Sequence, residues 1–363
     1  MQVLVTGGAG YVGSHVVLAM LAAGHDVHVV EDFTRGSPAA IHRAEQLAGR
    51  QVTVHAADVA DIDTTERIFA GTPFDAVVHL AGLHRSGTAP SRVLDLYETN
   101  QATTFTLLRC MAWYGVTRFV LSSTADVYGP ARGDGTLGVD SVRVPRTPLG
   151  RSLLGNEHLL HDLVESGAGL RAAVLRRFAT GGAHPSGRLG QAAARSTTSL
   201  LPRLTQVATG RREVLEVPGA GRATHDGTPV RDVVHVADVA DAYVAALGAL
   251  DGSPGVRTWN VGTGRGSSVL DVLRTFEEVT GRTVPHRVVE PADRVRDSVV
   301  ADVDGTVADL GWTPRRGLAD VCRDHWRWAQ DNPDGYPETL VPEPPWRGGV
   351  GHRLRVLSSL APS

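Results

Sequence analysis

The stretch "QVLVTGGAGYVGSH", residues 2–15, decides the fold of this 363-residue chain. An apolar run that ends in a glycine cluster and leads into helically spaced apolar residues predicts a strand, a tight turn and a helix. Gly7, Gly10 and Gly13 permit the turn and let a pyrophosphate reach the helix N-terminus. Glu31, with Asp32 beside it, follows the next apolar run, where a carboxylate can accept hydrogen bonds from ribose hydroxyls. The stretch therefore predicts a dinucleotide site.

The carboxylate also indicates which dinucleotide binds. A negative charge at Glu31 would repel the 2′-phosphate of NADP, so the sequence favours NAD. Arg35 lies close enough in sequence to keep NADP open as an alternative.

Further apolar runs repeat the pattern of the opening stretch. They include "DVHVVED", "FDAVVHLAG", "VTRFVLSS" and "LRAAVLRRF", each followed by a polar or helical segment. This alternation predicts an α/β fold of the Rossmann type, with a doubly wound parallel sheet covered on both faces. We expect an NAD-binding domain over residues 1–180 and a smaller α/β substrate-binding domain over 181–340, with some segments returning to the first. Residues 341–363 are expected to form a C-terminal extension.

Composition excludes several classes of protein. The 42% hydrophobic content suffices for a sizeable core, and the net charge of -3 gives no electrostatic footprint for nucleic acid or an anionic membrane. No apolar run approaches the roughly 20 residues of a membrane span, so we expect a cytoplasmic protein. The two cysteines have no metal-ligand spacing, and we predict no metal site. The sequence contains no lysine.

Several motifs together carry a family resemblance, among them "GGAGYVGSH", "LAGLH", "SSTADVYG", "AHPSG" and "VRDVVHVADVADAY". In these strings and their order the chain resembles the extended short-chain dehydrogenases/reductases, most closely the UDP-glucose 4-epimerases. The resemblance implies bound NAD, a nucleotide-sugar substrate and a homodimer built on a four-helix contact. It implies that the cofactor is bound by Gly7, Gly10, Tyr11, Val12, Gly13, Glu31, Asp32, Asp58, Val59, Leu80, Ala81, Gly82, His84 and Ser122.

The chain departs from this family at its acid–base motif. The epimerases use a tyrosine and a lysine in a YxxxK motif to take a proton from the sugar 4-hydroxyl. In "PLGRSL" this chain has Leu149 and Leu153 at those two places. Leucine has no titratable proton, and general acid–base catalysis is typically worth about 10² to 10⁴ in rate. The standard mechanism therefore cannot run unchanged.

Substrate contacts implied by the resemblance are only partly retained. Arg231 is kept as the diphosphate ligand. Arg177 and Ala179, however, replace a tyrosine and an amide of the family. Ala292 stands at the place of the family's phosphate-binding arginine, whose role Arg294 or Arg296 could take. The substrate-binding residues expected on this basis are Ser123, Thr124, Arg177, Ser199, Arg231 and Arg294.

Three side chains are candidates for the missing chemistry. The resemblance gives Thr124 the hydrogen-bonding role of the family's Ser/Thr. Asp126 stands where related dehydratases and decarboxylases carry an acid, and beside an apolar Leu149 and Leu153 a carboxylate would be desolvated. A capping role at the strand end is the alternative for Asp126. His84 could relay a proton or only contact the cofactor.

Three functions are consistent with these residues. The first is an epimerase-like enzyme with non-standard acid–base groups, acting on a modified NDP-sugar or related nucleoside. The second is a catalytically silent NAD-binding relative that acts as a scaffold or regulator. The third is a dehydratase- or decarboxylase-like enzyme that uses Asp126, although Ala125 replaces the partner acid of the dehydratases.

Overall fold

The computed structural model describes residues 1–83, 90–130, 136–192, 199–219, 222–290 and 296–337. The predicted positions His84, Ala292 and Arg294, and the extension 341–363, lie outside these ranges. The strands are β1 (Gln2–Thr6), β2 (Asp26–Glu31), β3 (Thr53–Ala56), β4 (Ala76–His79), β5 (Arg118–Thr124), β6 (Thr136–Leu137), β7 (Arg171–Arg177), β8 (Ala179–Gly181), β9 (Leu215–Pro218), β10 (Val230–His235), β11 (Gly255–Val261), β12 (Gly266–Ser268), β13 (His286–Val289) and β14 (Ser298–Ala301). The helices are α1 (Tyr11–Ala22), α2 (Pro38–Ala48), α3 (Ile62–Gly71), α4 (Pro90–Trp113), α5 (Pro148–Glu165), α6 (Leu200–Ala208), α7 (Val236–Gly248), α8 (Val269–Thr280), α9 (Asp304–Leu310) and α10 (Leu318–Asp331).

A seven-stranded parallel sheet has the strand order β11-β7-β5-β4-β1-β2-β3. Strand β4 is buried at every position, as expected where helices cover both faces of a parallel sheet. From β1 the chain moves to β2 and β3 on one side, and later to β4, β5 and β7 on the other. The order therefore reverses between β1 and β4, and ligands of such sheets bind in the crevice beyond the carboxyl ends of the strands at this point.

Helices cover the two faces of this sheet with separate apolar cores. Helices α1, α2 and α7 pack on one face, around Val5, Met20 and Tyr243. Helices α3, α4 and α5 pack on the other face, around Leu107 and Phe119. Both faces are thus closed, and the carboxyl ends of the strands remain as the edge at which polar side chains can gather.

The remaining elements form a smaller lobe. Strands β12, β10, β14 and β6 form a sheet in that order, to which β8 is added by pairing with β10, and β13 pairs with β9. Helices α6, α8 and α10 enclose a third apolar core that includes Leu204, Phe276 and Trp326. Strand β10 places Arg231 in this lobe, beside the crevice of the first sheet.

The predicted α/β doubly wound fold is confirmed. Strand β11 and helix α7 lie within residues 181–340, but β11 is a strand of the first sheet and α7 packs on one face of that sheet. The limits of the two domains stay a prediction. None of the described helices is both long enough and apolar enough to span a membrane.

Candidate active site

The glycine turn between β1 and α1 is shaped by close backbone contacts. Gly7 has a φ of +71°, and a Cβ there would lie 2.7 Å from the backbone nitrogen of Ala81. At Gly13 a Cβ would lie 2.0 Å from the carbonyl oxygen of Gly7. The first hydrogen bond of α1 runs from Ser14 N to Gly10 O, so the N–H groups of Tyr11, Val12 and Gly13 have no partner within the helix. This is the geometry of an anion site at a helix N-terminus.

Two carboxylates lie at the carboxyl end of β2. Glu31 is 8% exposed and accepts a hydrogen bond of 3.1 Å from Ala9 N at its Oε2 atom. Burial raises the pKa of Glu31 to about 7, and the charge of Asp32 acts in the same direction. A Cβ at Gly36 would lie 2.8 Å from Cδ of Glu31, so the missing side chain at Gly36 makes room for the glutamate side chain. Asp32 accepts bonds from Thr34.

The neighbouring strand ends complete this side of the crevice. Asp58 follows β3 and accepts a bond of 2.8 Å from Ala60 N, while burial raises the pKa of its carboxyl group. Val59 is buried beside it. After β4, Leu80 is buried and Ala81 N donates to Thr6 Oγ1 over 3.2 Å.

A small cavity lies between β4, β5, α4 and α5. It is lined by His79, Ala81, Gly82, Asn100, Leu121, Ser122, Leu153 and Asn156. Asn100 accepts a bond from Leu83 N over 2.8 Å and donates to Ser152 Oγ over 3.0 Å, which fixes the chain after Gly82. Asn100 is not among the site residues predicted from the sequence. A polar residue at a buried position of a long helix was the available signal.

Helix α5 presents its leucines to this cavity and to the end of β5. The Oγ1 atom of Thr147 accepts a bond of 3.0 Å from Gly150 N and so caps the helix, with Pro148 in its first turn. Leu149 and Leu153 stand one turn apart on the same face. Leu153 is 6% exposed, and both leucines pack against an apolar cluster that contains Ala125 and Phe178. No titratable group enters the site from these two positions.

The serines and the threonine at the end of β5 point in different directions. Ser122 Oγ accepts a bond of 3.0 Å from Arg177 Nε. Ser123 is fully buried and donates to Glu157 Oε1 over 2.5 Å, so its hydroxyl is already engaged by a carboxylate, and its contact with a substrate stays a prediction. Thr124 is half-buried, and its Oγ1 atom accepts a bond of 3.2 Å from Asp126 N.

A buried ionic network lies beneath these residues. Arg176 and Glu157 are 1% and 2% exposed at their side chains and form an ion pair of 2.7 Å. Arg176 also donates to Tyr128 Oη over 3.0 Å, and Tyr128 donates to Asn260 Oδ1 over 2.6 Å. Every member of the network is satisfied, so it joins α5 to β5, β7 and β11.

Asp126 forms an ion pair with Arg296, in which Nη2 lies 3.1 Å from Oδ1. Arg296 also donates to the carbonyl oxygens of Tyr128 and Gly129 over 3.3 Å. The prediction that the Asp126 carboxylate lies in apolar surroundings is therefore wrong, because a guanidinium from the smaller lobe contacts it.

Arg231 stands near this ion pair. It is half-buried, and its Nη1 atom donates to the carbonyl oxygen of Val230 over 2.7 Å. Burial, together with the charge of Arg296, lowers the pKa of Arg231 to about 10. Within the described ranges no carboxylate forms an ion pair with Arg231, whereas Arg222 is paired with Asp297.

Other predicted positions contribute less. Ser199 is half-buried immediately before α6. In the part of the chain that the structure describes, one group of three residues that could bind a metal ion has its ligand atoms within 4.8 Å of one another, namely His225, Asp226 and Asp271. Both carboxylates are already bound by Ser268, and the positive end of the α8 dipole opposes a cation there.

The predicted residues thus form two groups at one edge of the sheet. The glycine turn, Glu31, Asp32, Asp58, Ala81, Gly82 and Ser122 lie along the carboxyl ends of the strands from β2 to β5. Thr124, Asp126 and Arg231 lie farther along, where the smaller lobe meets the sheet.

Comparison with known proteins gives consistent matches. The profile of the NAD dependent epimerase/dehydratase family matches residues 3–262. The UDP-glucose 4-epimerase of Schizosaccharomyces pombe is 40% identical over 343 residues, which is 93% of this chain and 96% of that protein. The enzyme of the same name from Bacillus subtilis is 38% identical over 341 residues, or 93% of this chain and 99% of that protein.

Solved structures match over nearly the same span. UDP-glucose-4-epimerase from Stenotrophomonas maltophila, with bound NAD and formylated UDP-arabinopyranose, has a TM-score of 0.88 and 37% identity, covering 91% of this chain and 98% of that chain. UDP-glucose 4-epimerase from Bifidobacterium longum, in complex with NAD+ and UDP, has a TM-score of 0.87 and 33% identity, covering 93% and 100%.

Proposed function

Because the chain belongs to the NAD-dependent epimerase/dehydratase family, we propose that it is an epimerase-like enzyme whose acid–base groups differ from a tyrosine and a lysine. Its substrate is a modified NDP-sugar or a related nucleoside. One observation carries the proposal: two features lie at the same edge of one sheet. They are a glycine turn of the dinucleotide-binding type with Glu31 near it, and a cationic group around Arg231.

The residues at the crevice fit NAD. The free N–H groups of Tyr11, Val12 and Gly13 suit the pyrophosphate, and Glu31, with one of its oxygens held by Ala9, suits the adenosine ribose. Bound NAD supplies a nicotinamide ring that takes a hydride from a sugar carbon and returns it. Glu31 would repel a 2′-phosphate, so NADP is expected to bind more weakly, and equal affinity for the two would contradict this assignment.

Arg231 is the proposed ligand of the substrate diphosphate. It is a half-buried cation without a carboxylate ion pair in the described ranges, and an anionic ligand would compensate its charge. Arg296 is the second candidate, but it already binds Asp126. A phosphate that competes with Asp126 for Arg296 would release the carboxylate when the substrate arrives.

Asp126 and Thr124 are the proposed groups for proton transfer in the described part of the chain. Asp126 accepts the proton of the sugar hydroxyl as the hydride leaves the same carbon, and it gives the proton back when the hydride returns. The Thr124 hydroxyl, whose oxygen accepts from Asp126 N, keeps its own hydrogen for a bond to the substrate. His84 remains a proposal, either as a cofactor contact or as a proton relay.

Two measurements test the proposal. Mass spectrometry of the denatured protein is expected to detect NAD or NADH that co-purified. A screen of NDP-sugars against the NAD-loaded protein is expected to find one that gives a transient absorbance in the reduced-nicotinamide band. Bound NAD without hydride transfer to or from any nucleotide sugar would refute the enzymatic function and favour a binding protein.

A further inference from the structure

Arg177 is a positive charge that neither the fold nor the proposed chemistry yet explains. It ends β7, is half-buried, and donates through Nε to Ser122 Oγ over 3.0 Å. None of the ion pairs found within the described ranges includes Arg177, in contrast to its neighbour Arg176, which pairs with Glu157. The guanidinium therefore carries its charge into the crevice without a carboxylate counter-ion in the described structure.

The surroundings of Arg177 show which side of the sheet it faces. Burial raises the pKa of the Tyr243 hydroxyl on α7, and the nearby Arg177 guanidinium acts against this shift. At Tyr11, the first residue of α1, burial also raises the pKa, and Arg177 again opposes it. The charge thus lies among the ends of β5 and β7, α7 and the N-terminus of α1, on the side of the sheet that carries the glycine turn.

The strand order then indicates which half of a dinucleotide is nearest. Glu31 at β2 marks the adenosine side, and β1 carries the glycine turn for the pyrophosphate. The other half must run towards β4 and β5, past Gly82 and Ser122. Strand β7 is the direct neighbour of β5, but it is three strand spacings, about 14 Å, from β1. Arg177 therefore lies at the nicotinamide end.

We propose that Arg177 supplies a fixed positive charge beside the nicotinamide end of the crevice and thereby favours bound NADH over bound NAD+. The proposal rests on the proposed function. The nicotinamide ring is cationic in NAD+ and neutral in NADH, so a nearby guanidinium repels only the oxidised form. Helix α5 brings no ammonium to this cavity, because Leu153 lines it. Arg177 lies on the side of the site opposite α5, and its charge makes bound NAD+ a stronger hydride acceptor.

The test compares the affinities of the protein for NAD+ and NADH. Dissociation constants are measured by calorimetry at one ionic strength for the wild type, for Arg177→Met and for Arg177→Tyr. Arg171→Met is the matched control, since Arg171 begins the same strand about 20 Å away. Circular dichroism checks the fold of each variant. If methionine at position 177 disturbs the packing, the affinities of the tyrosine variant decide the test.

We expect the ratio of the NAD+ to the NADH dissociation constant to fall about fivefold or more in both Arg177 variants and to stay unchanged in Arg171→Met. A tenfold fall would correspond to about 30 mV in the potential of the bound couple. Equal weakening of both dinucleotides would overturn the proposal, because it would place the guanidinium on the pyrophosphate. An unchanged ratio would overturn it as well, and a wild type that binds neither dinucleotide would refute the proposed function itself.

Discussion

Asp126 and Arg296 are 170 residues apart in sequence and join the two lobes through an ion pair of 3.1 Å. If Asp126 transfers the proton, Asp126→Asn abolishes turnover of the true substrate and leaves the binding of NAD and of nucleotide nearly intact, because asparagine keeps the shape and cannot take a proton. Thr124→Val is expected to be a milder lesion. Steady-state kinetics and calorimetry check both.

The control for this variant is Asp251→Asn, which breaks an exposed ion pair with Arg118 at the opposite end of the sheet. It is expected to leave turnover unchanged. Full activity of Asp126→Asn would give the carboxylate a structural role only, and His84 would be tested next.

The wild-type protein is expected to interconvert UDP-glucose and UDP-galactose slowly or not at all. Leu149 and Leu153 offer no acid or base, and both pack against an apolar cluster. The double variant Leu149→Tyr with Leu153→Lys should gain only partial activity, since Arg177 and Ala179 still differ from the epimerases. Coupled assays check this. Wild-type turnover typical of enzymes, about 1 to 10³ per second, would mean that another base fully replaces the missing pair.

The stability of the NAD-free protein is expected to depend on pH through Glu31. Its pKa rises from an ordinary 4.5 to about 7 in the fold, so the folded state holds this proton more tightly than the unfolded state. The contribution of Glu31 to the free energy of unfolding is therefore largest below about pH 4.5 and is lost as the pH rises through about 7.

Urea unfolding of the wild type and of Glu31→Gln at a series of pH values measures this contribution. The difference between the two proteins should change between pH 5 and 8, with glutamine becoming the more favourable residue at high pH. Glu98→Gln, on the exposed side of α4, is the control and should show no such trend. A constant difference for Glu31→Gln would contradict the prediction.

Breaking the buried ion pair is expected to cost more stability than any surface change. Arg176→Met leaves the Glu157 carboxylate buried without its cation, and the loss of one partner of such a pair typically costs about 3 to 5 kcal/mol. Thermal and urea unfolding measure the loss. Arg118→Met, at a partly exposed pair, should cost about 1 kcal/mol or less. Similar costs for the two variants would disprove the view that this network holds α5 in place.

We expect the protein to form a homodimer through α4 and α5. The outer side of α4 exposes Leu94 at 65% and Phe105 at 46%, which suits a helix face that a second copy covers. Phe105→Glu is expected to shift light scattering at micromolar concentration from dimer to monomer. Val54→Glu, at an exposed apolar residue on β3, should leave the dimer unchanged. A wild-type monomer would refute the prediction.

The sequence predicted the helices and strands better than it predicted the directions in which their side chains point. Glycine spacing and apolar runs sufficed for the β1 to α1 turn and for the sheet, because these depend on neighbours in sequence. The orientation of adjacent side chains was harder: Ser122 meets Arg177, whereas Ser123 turns inward to Glu157. Partners far apart in sequence could not be found either, since the contact of Asp126 with Arg296 depends on how the smaller lobe packs against the sheet.

Strand β11 gives the folding of the chain an unusual order. It pairs with β7 residue by residue from Gly255 to Val261, after the chain has left the first sheet and returned. During synthesis on a ribosome, the edge of β7 that β11 later covers therefore stays unpaired while the 77 residues between the two strands are made, and α7 forms only shortly before β11. A chain truncated at residue 180 would lack both. We expect such a fragment to aggregate through that edge instead of folding as an independent nucleotide-binding unit.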